Sequence, residues 1–395
     1  ISFFIIVSSS NEYALHLGGT STFSGIVIGI PTLISGLSLI PLVRHDKGLY
    51  TFPLHVACCA SILGHVLYAL AYYANFLHLI LLGRMVSGLS FTLWMYCKRY
   101  CSDPRIVGVR RRTTLAAWLV IGQGVGLSFG PFAGGLLYKV GFDGKGTSVW
   151  NGFTAPAWVM AGVWVLFWAL VWRYYEDIPL ERLTQTTNPR LSLIFQLTLQ
   201  QWGAVLCMCW FAMTCFFILG AWESNIPVFG ASMPPFHWSP FAAGNFLALG
   251  GATTFPFLIL NLLLARRTQD RLILALGTTL GSGGLIIFLG LLGAGEKALN
   301  YGAVFVCWWT VALGFNLAST VTMSTLSKKL PPKWNGRTSL AIQYSNYIGR
   351  VTGAVWGGSG VAVGMRNYVG LQIGLVGVGT ILSLSLWRTL KTRMG

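Results

Sequence analysis

The chain has 395 residues, 54% hydrophobic and only 9% charged, with a formal net charge of +17. A soluble domain carries about 25% charged residues. This composition therefore excludes an ordinary soluble globule and points to a polytopic α-helical membrane protein.

Twelve apolar runs long enough for membrane spans follow one another, at about 1–17, 21–43, 51–74, 77–102, 112–139, 151–175, 193–222, 238–265, 270–293, 300–327, 338–363 and 366–389. Ile1 already lies in an apolar run, so further chain is expected ahead of it. The polar stretch EDIPLERLTQTTNP divides the spans six and six. It predicts a six-helix bundle over 1–175, a cytoplasmic linker over 176–192 and a second six-helix bundle over 193–395.

Charge placement supports this topology. With the N-terminal end taken as cytoplasmic, 19 of the 27 Lys and Arg residues fall on the cytoplasmic side. They include Arg44, Arg110, Arg111, Arg112, Arg266, Arg267, Lys328 and Lys329, the last two read as loop residues because Pro331 and Pro332 follow. Lys139, Lys145, Lys297 and Arg366 fall on the opposite side, while Arg84, Lys98, Arg99 and Arg350 lie within or at the ends of spans. Such a bias is the positive-inside pattern, with a cytoplasmic C-terminus. It accounts for most of the net charge without a nucleic-acid partner.

The two halves read as a repeat. Lys98-Arg99 precedes a loop ending in Arg112-Thr113, with Gly124 twelve residues after Arg112; Lys328-Lys329 precedes a loop ending in Arg337-Thr338, with Gly349 twelve residues after Arg337. One acid at membrane depth stands near the start of each half, Glu12 and Glu223, each followed seven residues later by Gly. Two parallel six-helix repeats are the organisation of the major facilitator fold.

The segments NEYALHLGGTSTFSGIVIGI, LGHVLYALAYYANFLHLILLGRMVSGLS, CKRY, GLSFGPFAGGLL and TAPAWVMAGVWVLFWALVW carry a closer likeness. The chain resembles the major facilitator superfamily, and within it the transporter part of the SPX–major facilitator vacuolar phosphate transporters. The related lysosomal ceroid-lipofuscinosis transporter shares the outline, including an acid and a small polar residue in the seventh span, here Glu223-Ser224. Where the family has Asn-Arg-Arg-Tyr, this chain has Cys97-Lys98-Arg99-Tyr100. An SPX domain would precede Ile1. The resemblance implies phosphate as cargo and a vacuolar or lysosomal membrane as location.

Ionisable residues inside a membrane mark pathways and relays. Lys98 and Arg99, with Tyr100, are candidates for an anion site, their N–H donors replacing phosphate hydration. The competing reading is that they snorkel at a helix end. On one continuous helix they stand about 21 Å from Arg84, at ~1.5 Å per residue. Arg84, in GRMVSG, is read as a coupling or gating residue, against a structural bond to backbone carbonyls. Arg350 lies near the centre of its span, and Gln343, Tyr347 and Arg350 form one helical stripe at spacings of four and three. That stripe is read as substrate-binding, against a buried interhelical network. Glu12 and Glu223 are candidate proton carriers, since low dielectric favours the neutral acid.

All eight cysteines lie in apolar runs without ligand spacing, and the histidines are scattered, so neither a disulfide framework nor a metal site is expected. No nucleotide-binding or catalytic motif appears, so neither a cofactor nor an enzymatic activity is expected. The expected function is secondary transport of an inorganic anion such as phosphate, with protons as a coupling ion. The alternatives are a proton-coupled exporter of small organic molecules and a transceptor with vestigial transport.

Overall fold

The computed structural model describes all residues except 45–48, 103–108, 143–147, 178–196, 235, 265–267, 332–333 and 392–395. Thirteen α-helices occur among the described residues. They are α1 (Ser10–His16), α2 (Ser21–Arg44), α3 (Thr51–Tyr73), α4 (Leu77–Ser90), α5 (Leu93–Ser102), α6 (Val109–Tyr138) and α7 (Ala155–Tyr174), then α8 (Leu199–Ser232), α9 (Pro240–Leu264), α10 (Asp270–Ala294), α11 (Tyr301–Lys329), α12 (Asn335–Val363) and α13 (Met365–Ser385). Within hydrocarbon each backbone polar group must be satisfied inside its own segment, which a helix does. Among the described residues nine helices are long and apolar enough to cross a membrane. The polar α12, with Gln343, Asn346 and Arg350 along it, is not one of the nine.

Four spans differ from their sequence outline. The first, expected over 1–17, is an α-helix only over Ser10–His16, with turns ahead of it. The fourth is two helices, α4 and α5, because the chain tightens at Phe91 and Thr92. There the N–H of Phe91 bonds to Gly88 O at 3.2 Å and that of Thr92 to Leu89 O at 3.4 Å. The Ser90 and Thr92 hydroxyls donate to Ser87 O and Leu89 O, at 2.6 and 2.7 Å, and so compete for the helix carbonyls. Arg84 and the Lys98-Arg99-Tyr100 run therefore sit on different helices. The seventh span continues past Glu223 to Ser232, with Pro227 inside it; a membrane helix tolerates proline where neighbours satisfy the freed groups. Lys328 and Lys329 are helical rather than loop residues. Leu330, which precedes Pro331, is extended (φ −103°, ψ 153°), so the helix runs right up to Lys329.

The chain forms two compact units: Ile1–Pro179 with Gly220–Ala252 and Val351–Val363, and Leu180–Leu219 with Thr253–Arg350 and Gly364–Gly395. The expected linker, 176–192, falls outside the described residues from 178 onward.

In the first unit an aromatic core joins α1, α3 and the turn before α7. Tyr13 stacks on Phe153 (centroids 5.1 Å apart) and meets Tyr68 edge-on at 5.3 Å. The last turns of α12 lie on the start of α2, where a methyl group on Gly358 would stand 2.9 Å from Gly25 Cα. Such an approach admits only the smallest residue. Lys139, just past α6, places its ammonium 3.6 Å from the centroid of Phe241 on α9.

In the second unit α10 packs along α11. Asp270, buried at the start of α10, accepts from Lys328 Nζ at 2.9 Å and Ser324 Oγ at 3.0 Å. An acid in the first turn also suits the positive end of the helix dipole. Trp210 on α8 donates from Nε1 to Leu375 O at 3.0 Å.

The start of α3 obtains its acid from elsewhere in the first unit. Asp177, beyond α7, accepts from the N–H groups of Tyr50 and Thr51, each at 3.0 Å, and from the Tyr175 hydroxyl at 3.1 Å. Burial alone would raise its pKa, but the bonds from Thr51, Tyr50 and Tyr175 outweigh that and hold the carboxyl below its ordinary value. A carboxyl with a depressed folded pKa contributes stability that is complete above the unfolded value, about 3.9, and is lost as pH falls through the folded one. We expect the Thr51 amide to stay protected from hydrogen exchange at about pH 6 and to lose protection as pH drops well below about 4. In Asp177→Asn, protection should already be weak at about pH 6 and should not fall further as pH drops. Wild-type protection that is the same at both pH values would refute the clamp.

Candidate functional site

The site centres on Arg84 of α4, which is 2% exposed. Close packing puts it there: a methyl group on Gly83 would stand 2.7 Å from Gly64 O, so α4 lies directly on α3. On the other side stands α2, with Pro31 inside it. Pro31 has no N–H to give to the carbonyl four residues earlier, which belongs to Val27. Arg84 Nε donates to that Val27 oxygen at 3.2 Å. The guanidinium carbon lies 5.3 Å from the centre of the Phe3 ring. Arg84 Nη2 is buried and has no hydrogen-bond partner among the described residues. No carboxylate pairs with Arg84 among the described residues.

His65 and Tyr68 of α3 lie within the field of this cation. His65 is 2% exposed, and its Nε2 is 2.7 Å from Ser2 Oγ, which accepts from Trp164 Nε1 at 3.1 Å. Tyr68 O accepts from the Tyr13 hydroxyl at 3.1 Å. Sequence reasoning singled out Arg84 but missed its surroundings. The available signals were His65 and Tyr68, three apart on one helix face, and Pro31, four residues after Val27.

The other sequence candidates are dispersed. Lys98 and Arg99 lie on α5, but their side chains fall outside the described residues. Tyr100 meets Tyr50 edge-on at 5.3 Å, at the start of α3 and apart from the Arg84 cluster. Glu12 is half-buried and accepts from the hydroxyl of Tyr138, the last residue of α6, at 2.7 Å. Glu223 is buried in α8, two residues from Asn225, whose Nδ2 donates to Gly357 O at 3.0 Å. Pro227 offers no N–H to the Glu223 carbonyl. On α12, Gln343 and Arg350 are half-buried and Tyr347 is buried, its ring edge-on to Tyr344 at 6.4 Å. Among the described residues no three His, Cys, Asp or Glu side chains gather as metal ligands would.

Residues 1–354 match the profile of the Major Facilitator Superfamily. The chain belongs to this superfamily. An uncharacterised MFS-type transporter of Schizosaccharomyces pombe is 31% identical over 396 residues, covering 98% of this chain and 79% of the relative. An SPX domain-containing membrane protein of Arabidopsis thaliana is 34% identical over 207 residues, 49% of this chain and 28% of the relative. A bacterial homologue of the human lysosomal transporter Spinster, solved inward-facing and unoccupied, shares the fold. Its TM-score is 0.72 at 13% identity, covering 98% of this chain and 94% of that one. A POT family transporter crystallised with 5-aminolevulinic acid superposes at TM-score 0.71 with 14% identity, over 98% of this chain and 93% of that one. The facilitator is thus a multi-pass integral membrane protein.

Arg84 serves one backbone carbonyl and still has a buried donor to spare. Arg84→Met leaves Val27 O without its donor, which should destabilise the facilitator by roughly 1–3 kcal/mol. Pro31→Ala restores an N–H to that carbonyl, so the double variant should melt at a higher temperature than Arg84→Met. Transport should be absent from both. Recovered transport in the double variant would reduce Arg84 to a helix-packing role.

Proposed function

We propose that this facilitator carries a small inorganic anion, phosphate first among them, across a vacuolar or lysosomal membrane. The observation that supports this reading is a fully buried guanidinium with an open donor and no carboxylate partner among the described residues. An uncompensated charge in low dielectric is costly, and an anion that visits it in one state of the cycle offsets that cost. The partial likeness to SPX domain-containing membrane proteins agrees with phosphate. A proton-coupled exporter of neutral or cationic organic molecules would have less use for such a cation.

In this reading Arg84, held by Val27 O and the Phe3 ring, attracts the anion. Arg350, with Gln343 and Tyr347, is a further anion contact. Lys98 and Arg99 with Tyr100 complete the proposed basic set, and Glu12 and Glu223 carry the coupling proton. In this reading 1–175 and 193–395 are the two six-helix halves of an alternating-access transporter, joined by the 176–192 linker.

Uptake into proteoliposomes under an imposed pH gradient tests the proposal. Wild type should accumulate phosphate. A charge-assisted hydrogen bond is worth about 1.5–3 kcal/mol, so Arg350→Ala should weaken apparent phosphate affinity by roughly ten- to a hundredfold. Arg350→Lys should also impair it, because the planar fork is lost. Glu223→Gln should abolish the response to the pH gradient while phosphate exchange continues. Wild-type phosphate uptake in Arg84→Met and Arg350→Ala together would remove the anion reading.

A further inference from the structure

The second unit carries a cavity of about 410 Å³ between α10 and the residues of α13 and just beyond it. Leu274, Ile286 and Leu384 line its wall, with Ser282 and Gly283 midway along. Leu276 and Ile287 on α10 and Ile381 on α13 are strongly exposed on the same two helices, as lipid-facing residues of a membrane span are. The groove is mostly apolar, and three of its five hydroxyls are spent on their own helices: Thr278 Oγ1 donates to Leu274 O at 2.7 Å, Thr380 Oγ1 to Val376 O at 2.9 Å and Ser383 Oγ to Thr380 O at 2.9 Å. Such a wall suits a hydrocarbon chain rather than a polar solute.

One end of the groove differs. Arg271 stands there, at the start of α10, with Trp387 opposite. Its Nε donates to Gln269 Oε1 at 2.9 Å and its Nη1 to Trp387 O at 3.2 Å, while its guanidinium carbon sits 4.9 Å from the centre of the Trp387 ring. Three contacts hold the side chain in place, and neither hydrogen bond uses Nη2. Arg388 and Lys391 are exposed close by in sequence, and Lys329 Nζ donates to Lys391 O at 2.6 Å. The neighbouring acid, Asp270, is already taken by Lys328. The positive-inside bias assigns this end to the cytoplasmic side. The cytoplasmic leaflet is the one rich in anionic lipid, and basic pockets between helices at that depth suit its headgroups.

We propose that the groove between α10 and α13 seats an acyl chain of an anionic phospholipid of the cytoplasmic leaflet, with the headgroup phosphate at Arg271. The fixed guanidinium supplies a preorganised donor, and the wall excludes water from the chain.

The test uses the full chain purified in detergent and titrated with phosphatidylserine, phosphatidylcholine or inorganic phosphate while its melting temperature is followed. Phosphatidylserine should raise the melting temperature by a few degrees, phosphatidylcholine much less, and inorganic phosphate not at all. Arg271→Gln should weaken the apparent affinity for phosphatidylserine roughly fivefold. Because Arg271 also holds Trp387, a second variant fills the groove and leaves the cation untouched. A side chain at Gly283 meets nothing within 4 Å, so Gly283→Leu should fold with an unchanged lipid-free melting temperature and lose the response to phosphatidylserine. Equal stabilisation by phosphatidylcholine would overturn the proposal, as would equal stabilisation by inorganic phosphate. So would a full phosphatidylserine response in Gly283→Leu.

Discussion

A missing N–H on α2 organises the first unit. Pro31 cannot bond to the carbonyl of Val27, and in a membrane no water replaces the lost partner. Arg84 reaches across from α4 and donates to that oxygen. To do so it must be buried, and α4 must lie against α3 closely enough that position 83 tolerates no side chain. One of the guanidinium nitrogens is left buried without a hydrogen-bond partner among the described residues. A proline break thus has the effect of holding a cation at depth, where a charge without structural duty would be costly.

The two halves solve one problem at their basic ends in different ways. Helices α3 and α10 begin at matching places in the repeat, and both N-termini are served by a carboxylate. On α10 the acid is its own first residue, Asp270, held by Lys328 and Ser324 of α11. On α3 it is Asp177, contributed from beyond α7, which caps Tyr50 and Thr51. The first arrangement ties neighbouring helices together. The second ties the chain leaving the sixth span to the third, so that this exit is fixed to the bundle it leaves. Lys328 pairs with Asp270 at the start of α10.

The all-helical facilitator fold was legible in the sequence, because hydrocarbon imposes one rule on every segment that crosses it. Membership of the superfamily followed from the same pattern. Arg84 was legible as unusual, since a cation in an apolar run has few explanations. Tertiary structure alone decided what surrounds it. The Val27 carbonyl, the Phe3 ring and the Ser2–His65–Trp164 chain come from residues up to 162 positions apart, and no local periodicity couples them. The break between α4 and α5 was also hidden, because the Ser90 and Thr92 hydroxyls compete with the backbone only where packing lets the helix tighten. Composition sets which segments enter the membrane; which polar group meets which depends on how closely the helices pack, a three-dimensional property that spacing along one helix does not contain.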